Sequence, residues 1–148
     1  MSKQKESRPS WDEYFLRIAQ VVSSRSTCPR RSVGAVLVRG RQILSTGYNG
    51  APRGLSHCTE AGCLMQDGHC VRASHAEMNA IAQAAMHGVA VEGATLYCTD
   101  RPCLICTKIL INAGIEKIVY WRQYHDKVAE EMLCQTGIQV IQMDPGEE

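Results

Sequence analysis

Residues 94–121, ATLYCTDRPCLICTKILINAGIEKIVYW, decide how this chain folds. Ala94 to Cys98 reads as a strand, and Glu116 to Trp121 as a second one rich in β-branched and aromatic side chains. Between them, Cys103 to Ala113 has the length and apolar content of a helix, and Gly114 stops it. A strand, a helix and a strand in so short a span argue for parallel neighbours with a helix covering one face.

The pattern continues outward in both directions. Toward the C-terminus, Asp126 to Gln135 is helical, Gly137 ends it, and Ile138 to Ile141 is a last strand. Toward the N-terminus, Trp11, Phe15, Ile18 and Val22 recur at spacings of three and four, the stripe of an amphipathic helix over 11–24. Ser26-Thr27-Cys28-Pro29 breaks it, because the residue before proline disfavours helical backbone. Val33 to Val38 and Gln42 to Tyr48 are strands, joined through Arg39-Gly40-Arg41 as a hairpin. A loop of turn formers follows at 49–54, then an irregular stretch at 55–74, then an alanine-rich helix from Ala76 to His87. The expected class is α/β. One domain spans 11–142, with flexible tails at 1–10 and 143–148.

Composition excludes several function classes. The 148 residues are 45% hydrophobic and 21% charged, and their net charge is +1. So small a charge makes no field for a polyanion, so nucleic acid is not an expected partner. Nor is a membrane: the polar start MSKQKESRPS lacks a signal's apolar stretch, and no apolar run approaches the roughly 20 residues of a span. A cytoplasmic location follows, and there thiols stay reduced. The eight cysteines then read as metal ligands or catalytic groups in preference to disulfides.

Two motifs carry chemistry: His75-Ala76-Glu77 and Pro102-Cys103-Leu104-Ile105-Cys106. Each falls at the start of an expected helix. Zinc takes imidazole and thiolate in a tetrahedron, and a catalytic site supplies three ligands and leaves one position open. His75, Cys103 and Cys106 make that set. Helix starts stabilise thiolate through unpaired N–H groups and the dipole, Pro102 suits a first turn, and Asp100 is placed to cap it. Glu77 stands beside the ligands as a proton carrier. H-x-E followed by P-C-x-x-C is the signature of zinc nucleobase deaminases. The plainer readings are a redox pair at Cys103–Cys106, and a capping box from Ser74 to Glu77.

Of the other cysteines, Cys28, Cys58, Cys63 and Cys70 lie in loops and are enough for a closed structural zinc site, with His57 or His69 able to replace one. Scattered small apolar residues are the alternative. Cys98 and Cys134 are expected to be buried.

With these motifs in hand, the chain resembles the deoxycytidylate (dCMP) deaminases of bacteria and phages. The features are RSTCPRRSVGAV from Arg25, GYNGAPRG from Gly47, HAEMNAI from His75, PCLIC from Pro102, and Tyr124-His125-Asp126. The likeness covers roughly 11–142. It implies a three-layer α/β/α fold with a five-stranded mixed sheet, the cytidine deaminase-like architecture. It implies hydrolysis of dCMP to dUMP and ammonia by a homo-oligomer, commonly a hexamer. Carried over by position, Asn49 contacts the deoxyribose and Ala76 is a further substrate-binding candidate. Arg25, Ser26, Arg30, Arg122 and Tyr124 are candidates near the 5′-phosphate. Many members are activated by dCTP and inhibited by dTTP, with Mg2+ accompanying the effector. Asn49, Gly50, Pro52 and Gly54 are the candidate site for that control. Other deaminases, acting on tRNA adenosine, free cytosine or a riboflavin precursor, remain alternatives, as does a non-catalytic zinc module.

Overall fold

The computed structural model describes residues 7–144. The expected tails fall partly outside that range. Within it, Ser10 and Met143 are already part of the fold. Ser10 Oγ accepts the Glu13 N–H at 3.1 Å and so caps the first helix, while the Met143 N–H donates to Tyr120 O at 2.8 Å.

That helix, α1 (Trp11–Ser23), leads into the hairpin of β1 (Gly34–Arg39) and β2 (Gln42–Tyr48). Gly40 and Arg41 both take left-handed backbone, φ 58° and 63°, which a two-residue turn between twisted antiparallel strands requires. The Arg41 guanidinium lies over the Trp11 ring, 4.8 Å from its centroid. The segment at 55–74 is not wholly irregular. It holds the short helix α2 (Cys58–Ala61) and a small hairpin of β3 (Met65–Gln66) and β4 (His69–Cys70), turned by Asp67 and Gly68 at φ 50° and 79°. After α3 (Ala76–Met86) come β5 (Thr95–Asp100), α4 (Leu104–Asn112), β6 (Lys117–Arg122), α5 (Lys127–Thr136) and β7 (Gln139–Gln142).

The main sheet has the order β2-β1-β5-β6-β7. β1 is antiparallel to β2 and β5, and β5, β6 and β7 are mutually parallel. It is the five-stranded mixed sheet that the resemblance implies. Alternation along each strand sorts the core into two layers. Val36, Val38, Tyr97, Val119 and Trp121 pack against Phe15, Leu16 and Ala19 of α1. Ala35, Leu37, Leu96, Cys98, Ile118 and Tyr120 face the other way, against Ala76 and Ala80 of α3, Leu110 of α4 and Leu133 of α5. Fully burying one such Leu or Phe is worth about 1.5–3 kcal/mol.

This topology gathers one edge. The C-terminal ends of β5 and β6 lie beside the start of β1 and the end of β2, because Gly34 pairs with Tyr48 and Ala35 with Cys98. The start of α3 joins them through reciprocal backbone bonds between Gly50 and Ser74. Ligand sites in such sheets lie outside the carboxyl ends of the parallel strands. Gly47 sets how closely α3 approaches: a Cβ there would stand 2.3 Å from Ala76 O and 2.4 Å from Ala80 N.

Candidate active site

Two helix starts meet at this edge. His75 is the N-cap of α3 and Cys103 that of α4, both in extended backbone. The capping-box frame at Ser74 is therefore displaced by one residue, and no side chain caps α3. His75 and Glu77, two apart, would diverge on a regular helix. They share a site because His75 stands outside the first turn. Asp100 does not cap α4 either: it ends β5, buried, between two arginines.

His75 Nδ1 lies 3.4 Å from Cys103 Sγ and 3.4 Å from Cys106 Sγ, and the three donor atoms lie within 4.8 Å of one another. Tetrahedral zinc with bonds of about 2.3 Å to sulfur and about 2.0–2.1 Å to nitrogen puts such donors about 3.5 Å apart. The set fits zinc. The Cys106 thiol donates to Cys103 and His75 sits beside it, so the Cys103 thiol is pushed down to about 4 despite partial burial. The same hydrogen bond and burial hold the Cys106 proton on, and the bond to Cys103 raises His75. Glu77 is 6% exposed, and burial raises its carboxyl above the ordinary range.

His75, Glu77 and Cys103 open into a cavity of about 370 Å³, the size of a small-ligand pocket. Ala76, Asn49, Arg30 and Tyr124 line it, as the resemblance implies of substrate contacts. Asn49 Oδ1 accepts the Val33 N–H at 2.9 Å and its Nδ2 donates to Arg31 O at 2.8 Å, so the side chain holds the cavity wall. Arg25, Ser26 and Arg122 are not among the lining residues. Ser26 Oγ is used within its own loop, donating to Arg31 O at 3.2 Å. Arg122 turns to Asp100 and to Ser32 O. Arg31 and Arg101 line the cavity although sequence reasoning did not single them out, and His69 and Asp100, expected as a substitute zinc ligand and a helix cap, line it too. A charge beside Arg30 was the only signal for Arg31.

The second cysteine cluster is smaller than expected. Cys58, Cys63 and Cys70 place their sulfurs within 4.8 Å of one another, with Cys58 and Cys70 at 3.6 Å. Cys28 is outside that group and lines the cavity, as Cys70 also does. Burial and the adjacent thiols push Cys58 up to about 11, while backbone N–H groups pull Cys70 down to about 7. His57 is not available as a ligand through Nδ1, which accepts the Ala51 N–H at 3.3 Å and meets Thr27 Oγ1 at 2.9 Å. Cys98 is buried as expected. Cys134 is exposed on α5, contrary to expectation, because that helix buries Ala129 and Leu133 instead.

Gly50, Pro52 and Gly54 line a separate hollow of about 990 Å³ on the other side of the loop, together with His57, Asn79 and Gln83. Among the described residues, no helix is long and apolar enough to cross a membrane.

The family model for the cytidine and deoxycytidylate deaminase zinc-binding region matches residues 9–122. The chain is 45% identical over 138 residues to ComE operon protein 2 of Bacillus subtilis, covering 93% of this chain and 73% of that protein. It is 41% identical over 148 residues to the deoxycytidylate deaminase of Saccharomyces cerevisiae, with 95% of this chain but 47% of that one covered, so it spans about half the yeast protein's length. The structure of dCMP deaminase from the cyanophage S-TIM5 in complex with dCMP and dUMP superposes with a TM-score of 0.81 at 33% identity, over 93% of this chain and 100% of that one.

Proposed function

This chain belongs to the cytidine and deoxycytidylate deaminase zinc-binding family, and from that premise we propose that it hydrolyses dCMP to dUMP and ammonia. The observation that carries the reading is the buried Glu77 beside the His75, Cys103 and Cys106 donors, in a cavity that also collects arginines. The likeness to the yeast and cyanophage deaminases supports the choice of nucleotide.

His75, Cys103 and Cys106 hold the zinc. When bound, zinc is a Lewis acid that makes water a nucleophile near neutral pH. Glu77 takes one proton from the attacking water as the C4–O bond forms and delivers it to N3. It then takes the proton of the new C4 hydroxyl and delivers it to the amine, which leaves as ammonia as the C4–N bond breaks and C4=O forms. Its burial keeps it from bulk water and makes it a carrier able to hold a proton between those steps. Asn49 and Ala76 shape the wall against the nucleoside, and Arg30 and Tyr124 contribute polar groups to the same cavity.

Cys58, Cys63 and Cys70 hold a second, structural zinc, with Cys28 the proposed fourth ligand. The hollow at Gly50, Pro52 and Gly54 takes dCTP or dTTP with Mg2+, and the working form is a cytoplasmic homo-oligomer, a hexamer. Comparing ammonia release from dCMP, CMP, deoxycytidine and adenosine-containing tRNA tests the central reading. Preference for dCMP supports it; turnover of tRNA alone would replace it. Rate curves with and without dTTP test the control, and identical curves remove it. Metal content and light scattering test the second zinc and the hexamer.

A further inference from the structure

Arg101 stands two residues ahead of Cys103 and takes no step in the deamination chemistry. Its side chain is only 13% exposed, and it lines the catalytic cavity. A guanidinium is costly to bury unless its donors are used. Its ion pair is long, with Nη1 3.9 Å from Glu130 Oε1. The shorter contact goes to a ring: Nη1 donates to Tyr120 Oη at 3.0 Å, and the guanidinium carbon lies 5.3 Å from the centroid of that ring.

Tyr120 passes the contact on. It lies on β6, 2% exposed, in the core layer under α3, α4 and α5. Its hydroxyl oxygen accepts from Arg101, so its hydrogen is free to donate, and it meets Gln123 Oε1 at 3.2 Å. The same amide oxygen accepts the Tyr124 backbone N–H at 3.2 Å. A backbone N–H can only donate, so the amide must turn its oxygen to it, and every direction in the chain of contacts is then set. Arg101 thus reaches the backbone of Tyr124 through one buried ring and one amide. A second tie runs beside it, the Arg101 N–H donating to Arg122 O at 2.9 Å.

The segment served by these ties needs them. Residues 123–126 run from β6 to α5 without helix or strand of their own. Their far end is held by Asp126, whose Oδ1 accepts the Ala129 N–H at 3.1 Å. Between the two ends Tyr124 is 37% exposed and lines the cavity. A loop side chain that must be ordered when a ligand arrives weakens binding, and one whose backbone is already held does not.

We propose that Arg101 is a positioning residue: through Tyr120 and Gln123 it fixes the backbone at Tyr124 and so sets the stance of that ring at the cavity wall. This rests on the proposed deamination of dCMP, in which Tyr124 belongs to the substrate cavity. Because Pro102 and Cys103 follow Arg101 directly, the wall and the start of α4 share one support.

The test uses the zinc-loaded full chain and measures kcat and KM for dCMP in wild type, Arg101→Met, Arg101→Lys, Tyr120→Phe and Tyr124→Ala. The Arg101→Met and Tyr120→Phe changes are also each combined with Tyr124→Ala. Alone, each of the two should raise KM by about 2- to 10-fold, the worth of one hydrogen bond, with kcat nearly unchanged. Arg101→Lys keeps a donor and should recover part of the loss. In the Tyr124→Ala background neither should raise KM further, since their path to the substrate ends on that ring. Additive effects, or an unchanged KM in both single variants, overturn the proposal. Fluorine NMR of protein labelled with fluorotyrosine needs no substrate. The resonance that vanishes in Tyr124→Ala belongs to Tyr124, and Arg101→Met and Tyr120→Phe should each shift or broaden it while the Tyr14 resonance on α1 stays in place. If wild type leaves dCMP untouched but that resonance moves, the support stands and the substrate reading falls. If it moves in neither variant, with circular dichroism and zinc content as in wild type, the support is removed.

Discussion

Two cysteine clusters stand near one cavity, and they are built in opposite ways. The donors His75 and Cys103 are the N-caps of α3 and α4, and Cys106 lies in the first turn of α4; these helices of 11 and 9 residues pack on a buried sheet. Their geometry is inherited from the core. Cys58 opens a four-residue helix, Cys70 ends a two-residue strand and Cys63 lies in the link between α2 and β3, among the exposed side chains of Leu55, Leu64, Met65 and Val71. That segment has little core of its own. The first cluster is a scaffold that holds a metal; the second is a segment that a metal would hold. A reactive centre needs the first kind, because catalytic groups must not move when their ligands exchange.

Four experiments press on this contrast. The largest effect belongs to Glu77→Gln, which should lower kcat by about 10²- to 10⁴-fold while zinc stays bound. Deamination assays with parallel metal analysis check it, and a normal rate would end the role given to Glu77. Next comes metal removal. Stripping with a chelator should abolish amide-exchange protection across 58–71 but leave α3 and α4 protected. Equal loss in both regions would erase the distinction. Third, Cys63→Ser should lower Tm by about 2–4 °C for each kcal/mol lost and raise KM for dCMP more than it lowers kcat, because Cys70 is both ligand candidate and cavity wall.

The smallest effect is a proton count. In the metal-free protein at pH 7, Cys103 is already thiolate, pushed down to about 4, while Cys106 keeps its proton. Zinc loading of the first cluster should therefore release the Cys106 proton. Cys58, pushed up to about 11, should release a full proton, and Cys70, near 7, about half of one. Since protons and metal compete for the same atoms, both affinities rise with pH. Calorimetry in buffers of different ionisation enthalpy reads the counts.

Legibility in the sequence followed the same division. The sheet, its helices and the deaminase motifs were readable because they rest on local periodicity and short spacing, and Gln42–Tyr48 was located to the residue. Around the second cluster little was readable. The Asp67-Gly68 turn carries a hairpin too short to show alternation, and three sulfurs converge through loop paths that no period encodes. Asp100 was misjudged for another reason. An acidic residue just ahead of a helix has the pattern of a cap, and only tertiary structure brings Arg31 from before β1 and Arg122 from β6 to claim it. The resemblance carries Arg122 over as a phosphate candidate, but its charge is used on a protein carboxylate. Ser26 comes from the same resemblance, and its hydroxyl serves the loop.

Gly47 is not among the residues that line the catalytic cavity, yet it sets a tolerance for the machinery. Its missing carbon is the clearance into which Ala76 O and Ala80 N fit, one residue beyond His75. Any side chain there acts as a shim between sheet and helix, lifting the imidazole off a pair of sulfurs that sit on a different helix and do not rise with it. A screen for lost activity would therefore flag this position as sharply as a ligand. A screen for folded protein would flag it less, since α3 can back away from β2 and keep most of its buried face.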